Sequence, residues 1–262
     1  MDLGLRGRNA VVGGASSGLG RACADALAAE GCSLLVWSRG EERLRAVADD
    51  LRSRHGVTVH DFVADAAAPD AAASVADEAK ARLDTVDILV LNAGGPPTTD
   101  PTATDPDEWR RVLQLLTITP VDLASRLLPG MRERGWGRIV ADLSSGVRQP
   151  IDELVYSNAG RSALAAWLKT TARNVAADGV TVNGVLPGRI STPRVSELDQ
   201  GRAAREGRTE EEVRADNLRT MPAGRYGRPE ELGALVAFLA SEQASYITGQ
   251  FVAVDGGLIA GM

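Results

Sequence analysis

The sequence predicts a doubly wound α/β fold, a seven-stranded parallel sheet with helices on both faces. Three observations predict it. Seven short β-branched or apolar runs recur along the 262 residues, the stretches between most of them carry helical periodicity, and a glycine-rich turn joins the first run to the first helical stretch. Alternation of this kind implies parallel pairing, because a parallel crossover needs a long connection that is usually a helix.

The first run is NAVVGG (9–14), and the helix after it places Leu19, Ala22, Cys23, Ala26 and Leu27 along one face. SLLVWS (33–38), VTVHDFVA (57–64) and VDILVLNA (86–93) are the next three strands. GRIVADLS (137–144), VTVNGVLPG (180–188) and GQFVAVDGG (249–257) complete the set. Residues 194–220 stand apart, dense in charges of both signs, as in solvated helices. They are either a surface excursion or a helical lid, and their place after a strand end favours the lid.

With 44% hydrophobic residues and no repeat, linker or compositional break, residues 1–262 form one domain around one large core. A formal charge of −6 without a Lys/Arg-rich run makes nucleic acid an unexpected partner. MDLGLRGRNAVVGG lacks a signal-peptide core, and no apolar stretch reaches the roughly 20 residues of a membrane span, so no membrane association and a cytoplasmic location are expected. Cys23 and Cys32 form no CxxC and read as structural thiols. His55 and His60 have no third ligand in pattern, so no metal site is predicted.

The turn Gly13-Gly14-Ala15-Ser16-Ser17-Gly18-Leu19-Gly20 has the make-up of a phosphate cradle. Glycines let the backbone approach a pyrophosphate closely, and the helix N-terminus adds free N–H groups and a positive dipole end. The end of the second strand selects between nicotinamide cofactors, since a carboxylate there suits a ribose 2′-hydroxyl and an arginine suits a 2′-phosphate. Ser38 and Arg39 stand at that point, which favours NADP(H) and leaves NAD(H) possible. Arg39 as an ordinary helix-flanking charge is the alternative.

The spacing from Gly14 to Gly18 and Gly20 resembles the glycine motif of the short-chain dehydrogenase/reductase family, on its 3-oxoacyl-[acyl-carrier-protein] reductase branch. Asp65 is similar to that family's adenine-contacting aspartate, Asn92-Ala93-Gly94 to its NAG motif, and Pro187-Gly188-Arg189-Ile190-Ser191-Thr192 to the segment holding the nicotinamide amide. Arg228-Pro229-Glu230-Glu231, Tyr246-Ile247-Thr248-Gly249-Gln250 and Asp255-Gly256-Gly257 extend the resemblance over nearly the whole chain. The resemblance implies a Rossmann-like sheet ordered 3-2-1-4-5-6-7. It also implies a homodimer or homotetramer built through the helices starting near Pro106 and Tyr156 and the last strand, with Trp109 and Trp167 either in those contacts or in the core.

The family's catalytic Asn, Ser, Tyr and Lys are largely rewritten. Leu116 falls at the Asn position, and Ser145, with Ser144 adjacent, corresponds to the substrate-orienting serine. Tyr156 has Gly160 four residues on, whereas counting back from Asn183 puts Ser157 at the tyrosine position and Arg161 at the lysine position. That second register is preferred because it sets Ala159, Ala163, Ala166, Trp167 and Thr170 against the sheet, and a one-residue slip turns a helix by about 100°. Arg161 can then bind ribose and place a cation under the nicotinamide, but its pKa above roughly 12 bars it from donating the proton. Tyr156 either swings its hydroxyl into the pocket as the acid or packs at the helix start. Asp142 and Asp152 flank the loop as further carboxylates or as turn formers.

Three function classes follow. One is an NADP(H)-dependent oxidoreductase acting on a small or acyl-carrier-bound carbonyl or the corresponding alcohol. The second is a non-redox enzyme on the same scaffold, and the third is an NADP(H)-sensing binding protein.

Overall fold

The structure is a computed structural model that describes residues 1–261. Its strands are β1 (Asn9–Gly13), β2 (Ser33–Ser38), β3 (Val59–Val63), β4 (Ile88–Leu91), β5 (Gly137–Asp142), β6 (Val180–Pro187) and β7 (Phe251–Val254). All pair in parallel, in the order β3-β2-β1-β4-β5-β6-β7. This is the doubly wound sheet that the alternation of runs predicts, each strand lying inside its predicted run. Just past the end of β4, the Asn92 side chain donates from Nδ2 to the Gly13 carbonyl at 3.0 Å and ties this turn to β1.

The helices are α1 (Gly18–Ala29), α2 (Glu41–His55), α3 (Ala71–Leu83), α4 (Pro106–Leu113), α5 (Thr119–Glu133), α6 (Val155–Val175), α7 (Pro193–Glu206), α8 (Glu210–Arg219) and α9 (Pro229–Leu239). Adjacent residues of a strand face opposite sides of the sheet. Val11 therefore packs with Val75, Leu123 and Leu168 of α3, α5 and α6, while Val12 packs with Leu27, Leu44 and Val236 of α1, α2 and α9. β4 is buried along its whole length, as expected of a strand covered on both faces. Cys23 and Cys32 are buried free thiols, and burial pushes Cys32 up to about 12 and Cys23 well above its ordinary value. His55 bonds the Asp25 carboxylate at 2.8 Å between α1 and α2, and His60 lies on edge strand β3.

Three local features set up the site. A π-helical turn, Gln114–Ile118, joins α4 to α5 and buries Leu116. α6 buries Tyr156, Ser157, Gly160, Leu164, Ala165 and Leu168. This corrects the face expected from periodicity, since Ala159, Ala163, Ala166 and Thr170 lie exposed on the outer side and Trp167 is only half-buried. Alanines on every side of the helix gave its period too little contrast to orient it. The charged stretch is a helical hairpin, α7 and α8, turning at Gly207 with φ +64° and restarting in a capping box between Thr209 and Glu212. It buries Asp199, Ala203, Val213 and Asn217.

Candidate active site

A cavity of about 570 Å³ opens beyond the carboxyl ends of the central strands, where open α/β sheets bind their ligands. The glycine turn after β1, the Asn92–Pro96 loop after β4, the end of β5, the start of α6 and residues 187–194 all contribute to its wall. α7 and α8 close one side through Val195, Leu198, Arg202 and Asn217.

The glycine turn has the geometry of a cradle. Gly14 and Gly18 adopt φ +60° and +55°, a region that side chains disfavour. A Cβ on Gly20 would lie 2.4 Å from the Gly14 carbonyl oxygen and 2.5 Å from Asn92 Nδ2, so only glycine lets α1 start this close to the end of β1 and to Asn92. Ser17, at the N-cap, makes no side-chain cap bond, which leaves the first N–H groups of α1 without a side-chain acceptor. Gly14, Ser17, Gly18 and Leu19 line the cavity; Ser16 and Gly20 support the turn from outside it.

At the end of β2 the buried Ser38 hydroxyl has no hydrogen-bond partner, an orphaned group of the kind a ligand satisfies. Arg39 beside it is exposed, reaches over Gly94, and has no ion-pair partner among the described residues. Asp65 is exposed, and its carboxylate accepts from the Ala67 N–H at 3.0 Å. These three lie outside the cavity lining, beyond its β2 and β3 side. Cradle, orphan hydroxyl and free guanidinium together fit a dinucleotide with a phosphate on its adenosine ribose. At the other end, Asn92, Ala93, Gly94, Pro187, Gly188, Ile190 and Thr192 all line the cavity.

The residues that the sequence placed at the tetrad positions separate. Ser144, Ser145, Ser157 and Arg161 line the cavity, and Tyr156 does not. The Tyr156 ring packs edge-on against Trp109 at 4.7 Å, and its hydroxyl accepts the Asp105 N–H at 2.9 Å. Of the two roles open to Tyr156, the structure displays packing at the helix start. Leu116 abuts Gly160, where a Cβ would sit 3.1 Å from the Leu116 Cβ, so its side chain is held in an apolar contact with α6.

Arg161 donates from Nε to Ser157 Oγ at 3.3 Å and from Nη1 to the Asp142 carbonyl. No bond from Nη2 and no carboxylate within 4 Å is present among the described residues. Burial pulls its pKa down, and the Asp142 charge offsets part of that effect. Ser144 Oγ accepts the Gly146 N–H at 3.0 Å, leaving its own proton free to donate.

Asp142, at the end of β5, lines the same cavity. Its Oδ1 is buried without a partner, and burial pushes its carboxyl up to about 6 despite the nearby Arg161. The sequence signal is an acid at the end of an apolar strand, which turn formation explains more readily than a site role. Arg189 and Arg194 also line the cavity, and nothing in the sequence sets them apart from the many other arginines of this charged region. Arg194 crosses the mouth to bond the Pro96 carbonyl. No cluster of metal-ligating side chains is present among the described residues.

The family model described as enoyl-(acyl carrier protein) reductase, a short-chain dehydrogenase model, matches residues 14–259. The chain is 32% identical over 262 residues to a 3-oxoacyl-[acyl-carrier-protein] reductase of Aquifex aeolicus, covering 98% of this chain and 100% of that one. It is 31% identical over 258 residues to a D-β-hydroxybutyrate dehydrogenase of Cupriavidus necator, covering 98% and 99%. Among solved structures, L-sorbose reductase from Gluconobacter frateurii complexed with NADPH and L-sorbose superposes with a TM-score of 0.95 at 33% identity, covering all of both chains. A chain matched along its length by this model and these relatives belongs to the short-chain dehydrogenase/reductase family of oxidoreductases.

Proposed function

We propose that the chain is an NADP(H)-dependent oxidoreductase that reduces a carbonyl, or oxidises the corresponding alcohol, with Ser157 and Arg161 acting where relatives have other chemistry. The observation that carries this reading is the continuity of one cavity from the glycine cradle to the hydroxyls of Ser144, Ser145 and Ser157 beside the Arg161 guanidinium. NADPH, when bound, supplies the reducing equivalent to the carbonyl carbon and leaves as NADP⁺. The serine hydroxyls hold the carbonyl oxygen by donating to it, and the Arg161 charge stabilises the negative charge that develops there. The balancing proton comes from water, passed on by a serine hydroxyl, because Arg161 stays protonated and the Tyr156 hydroxyl is engaged at Asp105.

Ser38 and Arg39 hold the 2′-phosphate, and Asp65 contacts the adenine. The relatives' printed substrates suggest a small carbonyl compound or an acyl-carrier-bound one. The hairpin of α7 and α8 serves as the lid of a one-domain enzyme. The half-exposed Ile118 on the joint between α4 and α5, with Trp167 on α6 and edge strand β7, offers the surface for a homodimer or homotetramer. No helix of the described residues is long and apolar enough to cross a membrane, and a cytoplasmic location remains part of this proposal.

The test is the near-ultraviolet absorbance of NADPH against a panel of ketones, alongside dissociation constants for NADPH and NADH. Loss of absorbance with alcohol formation is expected, as is tighter NADPH binding that Arg39→Met weakens about tenfold or more without changing NADH binding. The absence of a cavity-lining phenol among the described residues favours a second reading, a non-redox enzyme or sensor on this scaffold. NADPH binding with no ketone reduced would select that reading.

A further inference from the structure

We infer that Asp199 is a positioning residue, a buried carboxylate that couples the α7–α8 hairpin to the segment 187–192 through Arg189. The inference rests on the proposed NADP(H) reading, in which that segment holds the nicotinamide end of the cofactor as the family resemblance implies.

Both oxygens of Asp199 are engaged although the residue is only 3% exposed. Its Oδ1 accepts Arg189 Nη1 at 2.7 Å and Asn217 Nδ2 at 3.0 Å, and its Oδ2 accepts the Tyr226 hydroxyl at 2.7 Å. Asn217 Nδ2 also lies 2.9 Å from the Tyr226 hydroxyl, closing the ring, and Arg202 of α7 donates to Asn217 Oδ1 at 3.1 Å. The Arg214 guanidinium covers the Tyr226 ring at 4.3 Å. One carboxylate thus joins α7, α8, the loop before α9 and the strand-end segment.

Arg189 is held by its backbone as well. Its carbonyl accepts the Gly227 N–H at 2.9 Å, and the Gly227 carbonyl accepts the Ser191 N–H at 2.8 Å. Thr192, the last residue of the segment, is also the N-cap of α7, its hydroxyl accepting the Val195 N–H at 3.3 Å. The cavity wall between Pro187 and Thr192 is therefore fastened at its middle by Asp199 and at its end by α7 itself. Elsewhere the hairpin is tied by Arg205 to Glu153 on the exposed rim. A buried carboxylate that loses its cation is poorly tolerated, so Arg189 and Asp199 keep their geometry together or lose it together. Coupling of this kind is reciprocal: a hairpin that steadies the cofactor segment must itself be steadied when the cofactor binds, by the same factor.

The test uses the full chain and the variants Arg189→Gln, Asp199→Asn and the pair combined, with Arg205→Gln as the rim control. NADPH affinity is read by fluorescence, and hydrogen exchange of residues 194–220 is followed with and without NADPH. Each single variant is expected to weaken NADPH binding about tenfold, the double variant no more than either single, and Arg205→Gln to leave it unchanged. NADPH should protect the hairpin in the parent chain and fail to do so at saturation in Arg189→Gln. Multiplicative losses in the double variant, unchanged affinity in the singles, or hairpin protection that persists in Arg189→Gln would each overturn the inference. Should Asp199→Asn fail to fold, Tyr226→Phe removes one hydroxyl, with its bonds to Asp199 and Asn217, from the same ring and is read in the same way. If the parent chain binds no nicotinamide cofactor, the proposed function falls. The coupling is then judged by whether Arg189→Gln alone accelerates exchange across 194–220; unchanged exchange there sinks it too.

Discussion

A one-residue step along α6 separates Tyr156 from Ser157, and with it structure from chemistry. Tyr156 →Phe removes a hydroxyl bonded to a backbone N–H outside the cavity, so kcat/KM should stay within about twofold while stability falls by about 1 kcal/mol. Ser157→Ala and Arg161→Met should each lower kcat/KM about a hundredfold or more, a contrast that steady-state kinetics on the best ketone would reveal. Asp142 carries the pH dependence. Its folded carboxyl stands near 6 against an ordinary 3.8, so the unfolded chain loses that proton first as pH rises. Stability from this group is therefore present below about pH 4 and is lost as pH climbs to about 6, a change of about 2–3 kcal/mol. Denaturant melts of Asp142→Asn should show a flatter pH profile across that window; an unchanged slope would remove Asp142 as its source.

At the scale of elements, the joint between β1 and α1 is the least replaceable part of the chain. A methyl group on Gly20 would press into the Gly14 carbonyl and the Asn92 amide, so Gly20→Ala must push α1 away from the end of β1 and from Asn92. Loss of NADPH binding by at least about tenfold, with a stability cost of about 1–3 kcal/mol, is expected in calorimetric titration and thermal melts. The π-turn between α4 and α5 shows the opposite economy. Leu116 fills the space over Gly160, so this position packs the π-turn against α6.

Across the whole molecule, the cavity and a buried arginine sit at opposite ends of the strands. The cavity lies beyond the carboxyl ends, whereas Arg138, the second residue of β5, is only 2% exposed at the opposite end. It donates to the carbonyls of Ser241 at 3.2 Å, Gly137 at 2.8 Å and Gly179 at 3.2 Å, and lies over the Trp136 ring. Arg138→Met should cost about 2 kcal/mol or more, because those buried carbonyls lose their donor, while leaving the NADPH dissociation constant unchanged. A matching fall in affinity would show that the two ends are not independent.

The sequence by itself determined the sheet, because seven apolar runs alternating with long connections leave little choice but parallel pairing. It also determined the cradle, because glycine is required by local backbone geometry at Gly14 and Gly18. Only the tertiary structure decided which neighbouring side chains share the cavity. Ser157 rather than Tyr156 lines it, the row Ala159, Ala163 and Ala166 faces outward, Asp142 is left unpartnered, and Asp199 ties the hairpin to Arg189. These outcomes depend on how a helix is rotated and on contacts between residues distant in sequence. Local periodicity cannot report the first when alanine occupies every side, and it carries no information on the second.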